Sequence, residues 1–257
     1  MCEQCGCSEP SHTHGPHEHD HDHDHTHDHG HEHSHDHDHK RISMNVDVLK
    51  RNNELAARNR AFFDDHGVFV VNIISSPGSG KTTLLEALAE RFGERMAVIE
   101  GDLQTNRDAE RVIRAGSRAY QIQTNGACHL DAHSVGHALE HLDFDGVRLV
   151  VIENVGNLVC PAAYDLGEHE KVAILSLPEG DDKVLKYPAL FHRISVLLIN
   201  KIDLAPYLEF DVRKAINECR SLNRTFESFQ VSGKTGEGME RFCEYLAGKA
   251  GLAESAA

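Results

Sequence analysis

The stretch that most constrains the fold of this chain lies between Val68 and Leu85 and reads VFVVNIISSPGSGKTTLL. It begins with a run of mostly β-branched residues, which is typical of a strand buried on both faces of a parallel sheet. A short loop with two glycines follows, and a helical pattern then begins at Lys81. A strand, a glycine-bearing loop and a helix in this order predict a phosphate-binding loop in an α/β fold.

The loop predicts how a nucleotide's phosphates would be held. Backbone N–H groups would point at the phosphates, the lysine would reach the β- and γ-phosphates, and Thr82 would hold Mg²⁺. The usual motif, G-x-x-x-x-G-K-[ST], has its first glycine where this chain has Ser75. Because the other loop glycines are in place, we expect the loop to keep its shape. The predicted phosphate-binding residues are Ser76, Pro77, Gly78, Ser79, Gly80, Lys81, Thr82 and Thr83.

Two further predicted strands end in acidic residues. The strand at residues 96–100 leads to Asp102, which could bind Mg²⁺ directly or through water; the alternative is that it caps the following helix. The strand at residues 147–152 leads to Glu153, where aspartate is more usual, and then to Gly156, whose N–H would meet the γ-phosphate. The residues predicted to carry the chemistry are Lys81, Thr82, Asp102 and Glu153.

A fourth motif predicts which base is bound. The strand at residues 194–199 leads into N-K-x-D, formed by Asn200, Lys201 and Asp203. An aspartate can accept hydrogen bonds from the guanine ring N1–H and the exocyclic amine, whereas adenine would leave it buried and unpaired. We therefore expect GTP and GDP as ligands. The residues predicted to complete the base pocket are Ser232, Gly233 and Lys234.

The N-terminal segment differs sharply from the rest in composition. Residues 1–39 contain no Lys or Arg and ten Asp or Glu, so about −10 of the net charge of −15 lies there. Residues 12–39 carry fourteen of the twenty-one histidines, mostly alternating with acids, and lack apolar residues that could build a core. We expect a disordered tail that buffers Ni²⁺, Zn²⁺ or Cu²⁺. A purification tag or a solvated linker is the alternative.

Three thiols, Cys2, Cys5 and Cys7, precede this tail. Together with the terminal amine they could supply four donors to square-planar Ni²⁺. A redox C-x-x-C motif is the alternative, but no strand and helix are predicted around it.

Several classes of function are excluded by composition. The chain has no basic patch, which argues against nucleic acid as a partner, and no apolar run near the roughly 18 residues of a membrane span. Without a signal peptide pattern we expect a cytoplasmic protein with reduced cysteines. The predicted organisation is a metal-binding tail (1–40), a helical linker (41–66), a P-loop domain (67–250) and a C-terminal tail (251–257).

A second group of metal ligands is predicted inside the domain. Cys128 and His129 precede a predicted helix, and Cys160 comes four residues after Gly156. Loss of the γ-phosphate could therefore move a metal ligand, and a coupling of about 1–3 kcal/mol would change metal affinity about 5- to 150-fold. His133 is a further candidate ligand. It belongs to a four-residue repeat with His129, His137 and His141 that usually marks a solvated helix face, whereas Cys219 and Cys243 are predicted to be packing residues.

The motifs CEQCGC, SSPGSGKT, EGD, ENVGNLVCP, NKID and SGKTG, in this order, resemble the HypB family of hydrogenase nickel-incorporation GTPases. The resemblance implies a P-loop GTPase of the signal-recognition-particle and MinD-like class that loads nickel into the [NiFe]-hydrogenase large subunit with a zinc-binding HypA-type partner. It implies a high-affinity nickel site at Cys2, Cys5 and Cys7. It also implies a nickel or zinc site at Cys128, His129 and Cys160, at a homodimer interface favoured by GTP.

We therefore expect a nickel metallochaperone GTPase with a three-layer α/β sandwich around a mostly parallel sheet. Slow intrinsic turnover is expected because no water-orienting glutamine or arginine finger can be named. A urease-type nickel GTPase is one alternative, although it would not be expected to carry CEQCGC. A nickel-storage protein with a vestigial nucleotide fold is the other.

Overall fold

A computed structural model describes residues 36–101, 107–124 and 126–252, with side chains from residue 47 onward except that of Arg107. Seven strands in this part of the chain form one sheet in which every pair of neighbours is parallel, in the order β3-β2-β4-β1-β5-β6-β7. The strands are β1 Phe69–Ser75, β2 Met96–Glu100, β3 Arg118–Gln121, β4 Leu149–Glu153, β5 Glu170–Ser176, β6 Val196–Asn200 and β7 Glu227–Val231.

Helices connect these strands, as parallel neighbours require. They are α1 Asp36–Asp65, α2 Lys81–Phe92, α3 Arg107–Arg114, α4 Ala132–Leu139, α5 Cys160–Ala163, α6 Lys183–Lys186, α7 Pro188–Phe191, α8 Val212–Leu222 and α9 Met239–Lys249. Short 3₁₀ turns occur at Gly93–Arg95, Leu177–Glu179 and Ile202–Tyr207. Among the described helices, none combines the length and apolarity needed to cross a lipid bilayer.

Strand β1 shows how the three layers arise. Its residues after the first are buried, and successive side chains point to opposite faces of the sheet. Val71 and Ile73 pack in the core that contains α2 and α9, whereas Val70 packs with Phe63 of α1 and with α4. The sheet therefore lies between two helical layers, which confirms the predicted sandwich.

Helix α1 packs on the sheet and holds two loops that lead to the candidate metal ligands. Asn59 donates hydrogen bonds to the carbonyl oxygens of Ala132 (2.8 Å) and Leu166 (3.0 Å). Asn52 accepts from the N–H of Ala132 (2.9 Å). One helix thus positions both the start of α4 and the segment after α5.

Helix α1 begins at Asp36, so residues 36–40, the last five of the predicted tail, overlap its start. Residues 1–35 lie outside the described part of the chain, so the division into tail, linker and domain stays a prediction.

The strand order decides which motifs meet. Strand β4 lies between β2 and β1, so the carboxyl ends of these three strands are neighbours at one edge of the sheet. Glu100 of β2 lies opposite Glu153 of β4, and Ile73 of β1 lies opposite the same Glu153. Ligands of open α/β sheets collect at this edge, where the strand order changes direction.

Candidate nucleotide site and metal centre

The predicted phosphate loop joins β1 to α2 and needs its glycines. Gly78 and Gly80 have φ angles of 74° and 95°, which residues with a side chain rarely adopt. A Cβ atom on Gly80 would also lie 2.7 Å from Nδ2 of Asn200. The loop therefore has the backbone shape of an anion cradle at the N-terminus of a twelve-residue helix.

Ser75, which replaces the first glycine of the usual motif, braces this loop. The hydroxyl of Ser79 donates to the Ser75 hydroxyl at 2.6 Å, and the latter donates to the carbonyl oxygen of Ser76 at 3.0 Å. Ser75 and Ser79 are fully buried, so the two hydroxyls satisfy each other away from water. The departure from the motif is thus compatible with an intact loop.

Lys81, at the start of α2, faces the buried acid of β4. Its Nζ lies 3.9 Å from Oε1 of Glu153, and the two side chains are 7% and 1% exposed. Glu100 is fully buried in register with Glu153, so two carboxyl groups lie side by side at the carboxyl ends of β2 and β4. A cation site beside a phosphate cradle fits this chemistry, and Thr82 follows directly on α2. The other predicted magnesium ligand, Asp102, lies outside the described residues.

The predicted base loop is tied to the phosphate loop. Asn200 donates from Nδ2 to the carbonyl oxygen of Ser79 (2.9 Å) and accepts from the N–H of Gly233 (3.3 Å). Lys201, whose φ of 62° is a left-handed value, donates to the carbonyl oxygen of Gly78 (2.6 Å).

The second part of the base pocket meets the same loop. The Ser232 hydroxyl donates to Oδ1 of Asp203 at 2.6 Å, which fixes the orientation of the carboxylate predicted to read guanine. Gly233 packs on the first turn of α2, because a Cβ there would lie 3.2 Å from the backbone nitrogen of Leu84. Lys234 follows directly and lines a surface pocket beside Thr83 and Glu86 of α2.

The predicted ligands of the domain metal site come together. Cys128, His129 and Cys160 each offer one ligand atom, and these atoms lie within 4.8 Å of one another. All three residues are half-buried. His133 is exposed and lies outside this group. Cys2, Cys5 and Cys7 lie outside the described residues.

The environment of His129 suits a metal ligand. Its ring packs against the ring of Tyr164, with centroids 3.9 Å apart. Burial lowers the pKa of His129, although the carboxylate of Asp131 opposes this shift. The imidazole is therefore held neutral, which is the form that binds metal. Two thiolates and one imidazole suit Zn²⁺ or Ni²⁺ and leave a coordination position open.

Burial separates these thiols from the two in the core. Cys219 and Cys243 are buried in α8 and α9, and burial raises their pKa to about 12 and about 11. Both remain protonated at neutral pH and are packing residues, as the sequence predicts.

The segment between Glu153 and Cys160 contacts both candidate sites. At Gly156 it packs on the phosphate loop, where an added Cβ would lie 3.0–3.2 Å from atoms of Pro77. One residue later, Asn157 donates from Nδ2 to the carbonyl oxygen of Cys128 at 3.2 Å. Asn157 also accepts from the N–H of Val159 at 2.8 Å, so its side chain is held from both ends.

Three residues that build this link were not predicted from the sequence. They are Asn154, which accepts from the N–H of Leu130 (3.1 Å), Asn157 and Tyr164. Two asparagines between an acidic strand end and a cysteine were the available signal, since short amides often bridge backbone groups in loops.

The chain is similar to known protein families and structures. The model of the family described as CobW/HypB/UreG, nucleotide-binding domain, matches residues 69–230. Hydrogenase maturation factor HypB from Azotobacter vinelandii is 53% identical over 202 residues, which cover 78% of this chain and 67% of that protein. The chain belongs to the HypB branch of this family. HypB from Escherichia coli strain K12 is 49% identical over 207 residues, or 80% of this chain and 71% of that protein.

Solved HypB structures share the fold. The crystal structure of HypB from Helicobacter pylori in complex with nickel is 41% identical, with a TM-score of 0.74 over 78% of this chain and 95% of that chain. HypB from Archaeoglobus fulgidus is 39% identical, with a TM-score of 0.73 over 79% of this chain and all of that chain. The part of this chain that the structure describes therefore has the same fold as these HypB relatives.

Proposed function

We propose that this chain is a nickel metallochaperone GTPase that binds Ni²⁺ and hydrolyses GTP to time nickel delivery into the [NiFe]-hydrogenase large subunit. Membership in the family of HypB maturation factors supports the proposal, as does the nickel complex of the Helicobacter pylori relative. The observation that carries it is that the segment at residues 153–160 contacts both candidate sites. Gly156 packs on the phosphate loop, Asn157 bonds the carbonyl oxygen of Cys128, and Cys160 is one of the three clustered metal ligands.

The residues of the phosphate site divide the work of hydrolysis. Lys81 binds the β- and γ-phosphates, and Glu153, 3.9 Å away, holds its ammonium group. Thr82 and Asp102 would hold Mg²⁺, which would neutralise charge at the phosphate oxygens. The N–H of Gly156 binds the γ-phosphate. Hydrolysis is slow because the predicted set lacks a group that orients the attacking water.

Guanine specificity follows from the base loop. Asp203, oriented by the Ser232 hydroxyl, accepts two hydrogen bonds from guanine. Adenine would leave this carboxylate unpaired, which makes the discrimination large.

Nucleotide state controls the metal through the shared segment. When the γ-phosphate leaves, Gly156 loses a partner and the segment shifts relative to Pro77. The hydrogen bond from Asn157 to Cys128 and the position of Cys160 change together, so the geometry of the metal ligands changes. The cation, Ni²⁺ or Zn²⁺, is then released to a partner. A HypA-type zinc-binding chaperone and the hydrogenase precursor are the proposed partners, and GTP favours a homodimer.

The upstream segment supplies the metal. Cys2, Cys5 and Cys7 bind Ni²⁺ tightly, and the His-rich tail buffers further ions at nitrogen and carboxylate donors. These roles, together with a cytoplasmic location, rest on the sequence.

The test is Lys81→Ala, with Lys186→Ala as the control because Lys186 is a surface residue of α6 paired only with Asp182 among the described ion pairs. We expect Lys81→Ala to abolish GTP hydrolysis, leave tail metal binding intact and remove hydrogenase activity from cells, while Lys186→Ala changes none of these. Wild-type hydrogenase activity with Lys81→Ala would instead indicate a storage protein.

Urease is measured in the same cells. The Helicobacter pylori relative, 41% identical over 203 residues, carries the name hydrogenase/urease maturation factor, so a urease role is the second candidate. Loss of urease activity alone would favour it over the hydrogenase role.

A further inference from the structure

A second cluster of metal-ligand side chains lies at the far end of α4. His137, Glu140 and His141 each offer one ligand atom, and these atoms lie within 4.8 Å of one another. All three residues are exposed, so a hydrated cation can reach them. None of them belongs to the nucleotide site or to the cluster of Cys128, His129 and Cys160 described above.

The backbone places the three side chains on one face. The spacing i, i+3, i+4 aligns residues on a helix surface. Although α4 ends at Leu139, Glu140 keeps helical angles, and its N–H bonds the carbonyl oxygen of His137 at 3.2 Å. The N–H of His141 bonds the carbonyl oxygen of Ala138 at 3.1 Å. The helical turn therefore continues through His141, and two histidines at i, i+4 are a known bidentate arrangement for Zn²⁺.

One imidazole ring is held in place. His141 stacks on Tyr120 of β3, with ring centroids 5.3 Å apart and planes 8° apart. The His137 ring lies 4.7 Å from the His141 ring, centroid to centroid. Holding one ligand reduces the side-chain entropy lost when a cation binds.

The donors and their surroundings favour a borderline divalent cation. Two imidazole nitrogens and a carboxylate oxygen suit Ni²⁺ or Zn²⁺. The cluster lies at the carboxyl end of α4, where the unpaired carbonyl groups carry partial negative charge. It is also separate from His129, because the eight residues of α4 span about 12 Å.

We propose that His137, Glu140 and His141 form a second divalent-cation site of this domain, with water completing the coordination. A tetrahedral ion with bonds of about 2.0–2.1 Å needs its ligand atoms about 3.4 Å apart. Small rotations of His137 and Glu140, both exposed, close the present separation. The donors are imidazole and carboxylate, as in the His-rich tail, and not thiolates as at Cys128 and Cys160. The ion held here therefore exchanges readily.

The test measures how fast individual histidines react with diethyl pyrocarbonate, which modifies free imidazole nitrogens. The full chain is labelled with and without Ni²⁺, added beyond the capacity of the fourteen tail histidines, and the modified residues are identified by peptide mass spectrometry. With free Ni²⁺ at about ten times the dissociation constant, His137 and His141 should react about tenfold more slowly. His133, exposed one turn earlier on α4, should react at an unchanged rate.

Three variants decide whether the protection comes from shared coordination. In His141→Ala, Ni²⁺ should no longer slow the labelling of His137. Glu140→Gln keeps the size of the side chain, so it remains informative if His141→Ala does not fold, and it should weaken the protection of both histidines. His133→Ala should leave the protection unchanged. Equal labelling rates with and without Ni²⁺, or protection of His137 that survives both His141→Ala and Glu140→Gln, would overturn the proposal.

Discussion

Asn157 offers the sharpest test of coupling between nucleotide and metal. Its Nδ2 donates to the carbonyl oxygen of Cys128, and its Oδ1 accepts from the N–H of Val159. Asn157→Asp replaces the donor with a carboxylate oxygen, which cannot bond the Cys128 carbonyl and carries a negative charge, while the other oxygen still accepts from Val159. The local turn is thus kept while the bond between the two loops is lost.

The expected effect follows from the energy of one hydrogen bond. Such a bond contributes about 0.5–1.5 kcal/mol, which corresponds to about a 2- to 13-fold change in an equilibrium constant. If the Asn157 bond is made only in the GTP state, and that state binds the metal more tightly, its loss should reduce the GTP-to-GDP ratio of metal affinities by this factor. The whole coupling of about 1–3 kcal/mol is larger, so part of the ratio should remain.

The assay is titration of Ni²⁺, followed by the thiolate-to-metal charge-transfer absorption, with GDP or a non-hydrolysable GTP analogue bound. Full-length protein carrying Cys2, Cys5 and Cys7→Ser limits the signal to thiols of the domain. Asn223→Asp is the matched control. Asn223 makes the same pair of contacts, donating to the carbonyl oxygen of Ile194 (2.7 Å) and accepting from the N–H of Thr225 (3.0 Å), away from both candidate sites.

The outcome that refutes the reasoning is an Asn157→Asp variant with the affinity ratio of the parent. In that case the bond to Cys128 carries no coupling. A parent protein whose ratio is one would reject the coupling itself.

Two further predictions concern a buried thiol and a strained glycine. Burial raises the pKa of Cys219 to about 12 from an ordinary 9.0, so its thiolate population is lowered about a thousandfold. Iodoacetamide should therefore label Cys160 far faster than Cys219 in the folded chain, whereas the two cysteines should react at similar rates in denaturant. Equal labelling in the folded chain would contradict this burial. Gly238 has a φ of 71°, and a Cβ there would lie 2.0 Å from the carbonyl oxygen of Gln230, so Gly238→Ala should lower the free energy of unfolding by more than about 1–3 kcal/mol in urea titrations. The control is Gly248→Ala inside α9, where an added Cβ meets open space, and this change should stabilise the protein by up to about 1 kcal/mol. If Gly238→Ala and Gly248→Ala had similar effects, the clash with the carbonyl oxygen of Gln230 would be absent.

Local patterns were enough to predict the fold and much of the nucleotide site. The strand at residues 96–100 was predicted with the bounds that β2 has, and the other predicted strands agree with β1, β4 and β6 to within two residues. This works because a buried parallel strand, a glycine-bearing loop and a helix are each specified by contiguous residues. The phosphate loop needs positive φ at Gly78 and Gly80, and that requirement is visible in the sequence.

The sequence by itself determined the kinds of site: a phosphate cradle, a guanine motif and cysteines beside a histidine. Only the tertiary structure decided which loops meet. Cys128 and Cys160 converge because Asn154 and Asn157, which follow β4, bond the backbone of Leu130 and Cys128, and no local pattern encodes such an arrangement. The same holds for His133, a candidate ligand one helical turn from His129 in the sequence, whose side chain lies outside the cluster of Cys128, His129 and Cys160. Side-chain spacing along a helix selects a face, whereas the packing of that helix against its neighbours selects what the face meets.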